Sequence, residues 1–234
     1  MKSIIIIPAY NEEENIGKVV RDVCKVNPED DILVVNDGSS DRTGLTVKEI
    51  QKAKLINLPY NLGIGGAVQA GFKYAMGLNY DLVTRMDGDG QHQASEIKRI
   101  KEPVLKGEAD VSIGSRFLDI ASPKSILGRR IGQKLIGLIT SLVSGQKITD
   151  ATSGFRCYNK KALALLTKFY PSDYPEPEEI IFLKKNKFKV RETGVLMKER
   201  KGGTSSLNVI KSIYYAIKVS LSIFINILRT PLIK

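Results

Sequence analysis

The sequence predicts an α/β protein with a mostly parallel, doubly wound sheet flanked by helices, and three observations predict it. Short apolar runs alternate with stretches of helical periodicity. Each apolar run ends in a polar or glycine-rich turn, which gathers the turns at one edge of such a sheet. A chain of 234 residues, 42% hydrophobic, can also bury a full core as one large domain.

The elements follow in order. Ile4–Ile7 reads as a buried strand ending at Pro8; with only four apolar residues it does not read as a signal peptide. Ile16, Val19, Val20 and Val23 then recur at helical spacing. Ile32–Val35 gives a second strand, Asn36–Asp41 a turn, and the following helix has Ser40 or Asp41 as capping residues. A third unit runs from the short strand before Leu58, through Gly63, Gly65 and Gly66, into a helix of small residues. This glycine loop imitates a dinucleotide-binding fingerprint, but the last glycine of G-x-G-x-x-G is Val68 and the loop is the third βα turn instead of the first. A helix packed closely on the sheet accounts for it more simply.

The fourth unit carries the chemistry. Leu82, Val83 and Met86 suit a buried strand, which Asp87, Gly88, Asp89, Gly90 and Gln91 bring to an abrupt end. Two carboxylates one residue apart at a strand's C-terminal end suit a Mg²⁺ or Mn²⁺ ion that also holds phosphate oxygens. Taken alone, the same residues make an ordinary polar turn.

Charge is uneven along the chain. The net charge is +11; residues 120–161 carry eight Lys or Arg against Asp150 alone, and residues 196–234 carry seven against Glu199 alone. The rest is slightly acidic, so a polyanion or an anionic membrane surface is expected to meet the second half. Two cysteines, Cys24 and Cys157, are too few for a disulfide framework and lack metal-ligand spacing, which favours a reducing compartment.

Two amphipathic stretches coincide with the basic regions. Residues 207–234 are mostly apolar, but their longest uncharged run, Val219–Leu228, has ten residues against the roughly 20 needed to span a bilayer. An interfacial helix with snorkelling lysines is expected there, the alternative being a helix packed on the protein itself or at a dimer interface. Ile126–Val143 is a second apolar, basic segment that can lie beside it.

Taken together, Pro8-Ala9-Tyr10-Asn11-Glu12, Val35-Asn36-Asp37-Gly38-Ser39-Ser40-Asp41, Asn61-Leu62-Gly63 and Asp87-Gly88-Asp89-Gly90-Gln91-His92 resemble the ordered motifs of inverting family 2 glycosyltransferases with the GT-A fold. Gly114-Ser115-Arg116, Asp150 to Arg156 and Arg200 to Ser206 narrow the resemblance to polyprenyl-phosphate sugar transferases of the dolichol-phosphate mannose synthase type. The resemblance implies a catalytic domain over residues 1–206 with an amphipathic helix, 207–234, appended. It implies nucleotide contacts from Pro8, Tyr10, Glu12, Val35 and Asp37, with Asp37 accepting from the base, and metal and diphosphate contacts from Asp87, Gly88, Asp89 and Gln91. Arg116, Arg130 and Arg200 fall where the family places cations for the acceptor phosphate and the leaving diphosphate. Two departures stand out: Asn36 replaces an Asp, and Ser206 replaces a Lys, for which Lys201 is a substitute.

The residues fit that chemistry in their own right. A leaving nucleoside diphosphate accumulates negative charge, which a divalent ion stabilises as a Lewis acid. A lipid monophosphate, with a second pKa of about 6, is already anionic near neutral pH and needs no strong base. Two phosphates meeting at one carbon do need cations, and Arg116, Arg129, Arg130 and Arg200 are available. Arg129 and Arg130 also read as exposed helix residues, His92 as a loop residue behind the site, and Asp150 either as a helix terminator or as the group orienting the acceptor's arginines. Tyr174–Glu179 reads as a rigid turn with Glu178 or Glu179 opening a helix, or as an acidic segment near the acceptor.

Three activities compete. The first is a peripheral enzyme on the cytoplasmic side of a membrane that moves mannose or glucose from GDP-mannose or UDP-glucose to a dolichyl or undecaprenyl phosphate, with a homodimer or a membrane-protein anchor left open. The second is a family 2 transferase with a soluble or polysaccharide acceptor; its processive branch carries Q-x-x-R-W, and this chain has no Trp. The third, a nucleic-acid or nucleotide-binding module, leaves Asp87 and Asp89 without a purpose, and an acidic pair suits no nucleic-acid groove.

Overall fold

The computed structural model describes residues 1–118, 127–171 and 175–198, the side chains of 127–131 excepted. Arg200, the motif it opens and the segment 207–234 lie outside the described residues, as does Tyr174.

Strands β1 (Ser3–Ala9), β2 (Asp31–Asn36), β3 (Ala53–Asn57) and β4 (Leu82–Arg85) alternate with helices α1 (Ile16–Val26), α2 (Thr43–Lys48) and α3 (Gly63–Gly77). After β4 come a 3-10 turn (Ala94–Glu96), α4 (Ile97–Leu105), β5 (Val111–Ser115), α5 (Leu127–Ser144), β6 (Arg156–Asn159), α6 (Lys160–Leu166), α7 (Pro175–Lys185) and β7 (Val190–Gly194). The described strands form a 7-stranded sheet in the order β3-β2-β1-β4-β6-β5-β7. Every pairing is parallel except those of β6 with β4 and with β5. The expected α/β class and mostly parallel, doubly wound sheet are present.

Period-two alternation of a run buried on both faces divides the core in two. Ile4 and Ile6 join Ala67, Val68 and Phe72 of α3, Ile136 of α5 and Leu163 of α6 on one face. Ile5 and Ile7 join Val19, Val20 and Val23 of α1, Val47 of α2 and Ile97 and Ile100 of α4 on the other.

The first strand extends one residue past Pro8, which sits opposite Val35. At α2 the cap residue is Arg42 with no side-chain bond, yet Asp41 Oδ1 accepts from the Thr43 N–H at 2.9 Å and thus supports that helix start. The close contact expected of α3 lies further along the helix than the glycine loop. A Cβ on Gly71 would stand 2.6 Å from Ile6 Cγ2, whereas Gly63 is needed for its φ of +79°. Gly71→Ala is therefore expected to lower stability by about 1–3 kcal/mol, read as a drop in melting temperature; an unchanged melt would mean that α3 can slide off β1.

The amphipathic segment after residue 126 is the helix α5. Gln133, Ile136 and Thr140 are buried, while Leu135, Leu138 and Leu142 are exposed on the outer face. Among the described residues, no helix is long and apolar enough to cross a membrane.

Candidate functional site

The sheet order places the site. The chain moves outward from β1 through β2 to β3 and then returns to the other side of β1 as β4, so β1 and β4 flank the switch point. Ligands of open α/β sheets bind in the crevice beyond the C-terminal ends of such strands. Asp87, Gly88 and Asp89 leave β4 there, against β1: a Cβ on Gly88 would lie 3.3 Å from the Pro8 carbonyl oxygen and 3.5 Å from Ala9 Cβ. Gly90, at φ +76°, turns the chain back, and Asp89 Oδ1 accepts from the Gln91 N–H at 3.0 Å.

The antiparallel strand β6 completes the crevice. Because it runs against β4, the residues before it arrive at the edge where β4 ends. A Cβ on Gly154 would stand 2.7 Å from Asp87 Oδ2 and 2.9 Å from Asp87 Oδ1. Asp87 also meets Arg85 Nη2 at 3.5 Å and His92 Nε2 at 3.9 Å. Burial pushes its carboxyl pKa up, but Arg85, His92 and Arg116 together pull it below the ordinary carboxylate value. Asp87 is thus an anion near neutral pH, with 33% of its side chain still exposed.

His92 is a supporting residue, as its sequence context suggests. Its Nδ1 accepts from the Asp87 N–H at 3.0 Å, and its ring stacks on Phe155 at 4.9 Å. Burial holds the imidazole pKa low against the pull of Asp87, so the ring is neutral.

Two hard carboxylates, with a carboxamide next to them in Gln91, suit Mg²⁺ or Mn²⁺. Among the described residues no three His, Cys, Asp or Glu form a metal-holding group. A pair completed by substrate phosphates is the usual Mg²⁺ arrangement.

On the far side of β6 from Asp87, Arg116 follows β5 and forms a fork with Asp150, Nε to Oδ2 and Nη2 to Oδ1, both at 2.7 Å. Thr152 Oγ1 accepts from Nη2 as well, at 2.8 Å. Asp150 has no exposed side-chain surface and Arg116 keeps 20%. Of the two readings of Asp150, orienting an arginine is the one its contacts display. The Asp150 loop is itself held by Glu192 of β7, whose carboxylate accepts from the N–H groups of Thr149 and Asp150 at 2.8 and 2.7 Å.

The remaining expected residues gather on the β1 and β2 side. Pro8 and Val35 are buried neighbours in the sheet, and Tyr10 is 49% exposed. Glu12 Oε2 accepts from Asn15 Nδ2 at 2.8 Å. Asp37 is 3% exposed and its Oδ1 accepts from the Leu62 N–H at 2.7 Å, at the start of α3. That helix N-terminus therefore already holds a carboxyl oxygen, which argues against a dinucleotide diphosphate there. Arg130 lies in α5, its side chain outside the described residues.

Sequence reading missed a buried ionic layer beneath the crevice. Arg85 and Arg156 are 1% and 0% exposed. Arg85 pairs with Glu176 at 2.6 Å and donates to Tyr170 Oη at 3.0 Å; Arg156 pairs with Glu179 at 3.0 Å. The two acids belong to α7, which starts at Pro175, earlier than the turn reading placed it. The available signal was a charge, Arg85, inside a strand that must be buried on both faces, since buried charges need partners.

The sequence model of the family described as "Glycosyl transferase family 2" matches residues 4–166. The chain is 33% identical over 210 residues to UDP-N-acetylglucosamine–dolichyl-phosphate N-acetylglucosaminyltransferase of Methanococcus voltae, a match covering 82% of this chain and 83% of that one. It is 33% identical over 171 residues to undecaprenyl-phosphate mannosyltransferase of Micrococcus luteus, covering 70% and 68%. Glucosyl-3-phosphoglycerate synthase from Mycobacterium tuberculosis, solved with Mn²⁺, UDP-glucose and phosphoglyceric acid, superposes with a TM-score of 0.74 over 97% of this chain and 79% of that one. At 15% identity this likeness is one of fold, and the fold is of the GT-A type.

Proposed function

The chain belongs to glycosyl transferase family 2, and we propose that within it the protein moves one sugar from a nucleoside-diphosphate donor to a polyprenyl phosphate, with inversion. The observation that carries this reading is the meeting, at one sheet edge, of a carboxylate pair with an arginine clamped by Asp150. Asp87 and Arg116 follow strands that both run antiparallel to β6 and so leave the sheet at the same edge, which fits a donor and an acceptor held side by side. Relatives named for dolichyl and undecaprenyl phosphates support the class of acceptor.

In this reading Pro8, Tyr10, Glu12 and Val35 line the nucleoside, and Asp37, its orientation fixed by the Leu62 N–H, accepts from the base. Asp87, Asp89 and Gln91 hold Mg²⁺ or Mn²⁺, with Gly88 letting the backbone approach Pro8. A divalent ion bound there supplies Lewis-acid neutralisation of the leaving diphosphate. Arg116, with Arg130 and Arg200, binds the acceptor phosphate, whose anionic oxygen attacks without a protein base. Residues 1–206 form the catalytic domain, and 207–234, with the outer face of α5, rest on the cytoplasmic side of a membrane as a peripheral contact.

The test is transfer of radiolabelled sugar into a butanol-soluble lipid, with polyprenyl phosphate and Mn²⁺ or Mg²⁺ present. GDP-mannose, UDP-glucose and UDP-N-acetylglucosamine are offered in turn, because the two relatives are named for different sugars. An EDTA-sensitive lipid product with one donor is expected. Label appearing only in a water-soluble product would overturn the lipid acceptor.

A further inference from the structure

We propose that Glu176 is a positioning residue for the metal-holding carboxylate: by taking the charge of Arg85, it leaves Asp87 free to bind a cation. This rests on the reading of Asp87 and Asp89 as metal ligands.

One nitrogen carries the competition. Arg85 Nη2 lies 2.6 Å from Glu176 Oε1 and 3.5 Å from Asp87 Oδ1. The first is a short charge-assisted hydrogen bond, while the second is at the outer limit of one. Arg85 Nη1 is occupied by the neutral Tyr170 hydroxyl. A guanidinium with 1% of its side chain exposed cannot turn to water, so its charge must be met by an acid within reach. Among the described residues two are in reach, and Glu176 has the nearer place.

Glu176 is held there from two sides. Its side chain is fixed by Arg85, and its carbonyl oxygen accepts from Arg156 Nη2 at 2.9 Å. Arg156 in turn is fixed by Glu179 of the same helix and by the Ser153 carbonyl at 2.8 Å. The first turn of α7 is therefore locked relative to β4. If Glu176 lost its charge, Asp87 would be the acid left for Arg85 among the described residues, and an oxygen engaged by a guanidinium is a poorer ligand for a cation.

The measurement is Mn²⁺ binding, read as loss of the free-ion EPR signal, with UDP or GDP present. Wild type, Glu176→Gln, Arg85→Met, the double variant Arg85→Met/Glu176→Gln and Asp89→Asn are compared, each checked for folding by circular dichroism. Glu176→Gln is expected to weaken Mn²⁺ binding about tenfold, the lower end of what loss of an outer-shell partner costs a metal site. The double variant is expected to recover it, since the competing cation is gone. A purely structural role would move the melting temperature and leave the affinity alone. Unchanged affinity in folded Glu176→Gln, or no recovery in the double variant, overturns the proposal while leaving the metal site standing. If Glu176→Gln does not fold, Arg85→Met decides: binding at least as tight as wild type supports the competition, and weaker binding overturns it. Wild type binding no better than Asp89→Asn would remove the metal site itself, and the proposal with it.

Discussion

Asp89→Asn is expected to cut the rate of sugar transfer about a thousandfold, the equivalent of roughly 4 kcal/mol of transition-state stabilisation, with the fold intact. Asparagine retains an oxygen where Asp89 Oδ1 accepts the Gln91 N–H, so the turn through Gly90 keeps that hydrogen bond. What is lost is one of the two negative charges that, in the proposed function, hold the cation against the donor diphosphate. Asp87→Asn would be less informative, since Asp87 also faces Arg85 and His92. Initial rates of transfer beside a thermal melt make the measurement. A variant retaining more than about a tenth of wild-type activity would sink the assignment of Asp89 to the metal.

The second large effect lies at a residue with no functional group. Gly154→Ala would put a methyl 2.7 and 2.9 Å from the two Asp87 oxygens and 2.9 Å from Arg85 Nη2. None of these atoms is the free end of a side chain in open solvent. Arg85 is held by Glu176 and Tyr170, and the Asp87 N–H is tied to His92, whose ring lies on Phe155. The carboxylate must therefore move, and a misplacement of about 1 Å at a reacting centre costs on the order of a hundredfold. Transfer rate and Mn²⁺ affinity are expected to fall together, with a loss of stability of about 1–3 kcal/mol. Wild-type transfer by Gly154→Ala would show that Asp87 has room to retreat.

How far the sequence foretold this structure differs between its halves, for a physical reason. Ile4–Ile7 and Ile32–Val35 announce strands because they satisfy both faces of the sheet with aliphatic side chains alone. Asp87 and Asp89 were legible because glycines flank them and nothing apolar follows. In β6, by contrast, Arg156 and Tyr158 stand at core positions that patterning reserves for aliphatic residues, and both are 0% exposed. Their burial is compensated by Glu179, from a helix twenty residues on, and no local pattern reveals such a partner. The clamp on Arg116 illustrates the same limit. Asp150 was legible as a candidate from the resemblance, whereas Glu192, which holds its loop, follows from the pairing of β5 with β7.

The antiparallel strand has a bearing on how the spacing of the site can change. Arg156 stands on one rung with Arg85 of β4 and Ile113 of β5. Asp87 is two residues beyond the first and Arg116 three beyond the second, so one register ties the Asp87 carboxylate to the Arg116 guanidinium. A ladder slips only in steps. A one-residue slip would turn Arg156 to the opposite face, away from Glu179, and a two-residue slip would shift the two groups by roughly 7 Å. The gap between Asp87 and Arg116, which in the proposed function separates donor from acceptor, is thus a discrete quantity, fixed by counting residues along three strands. In the proposed function, room for a bulkier sugar or headgroup has to come from residues outside these strands, which can vary without breaking a rung.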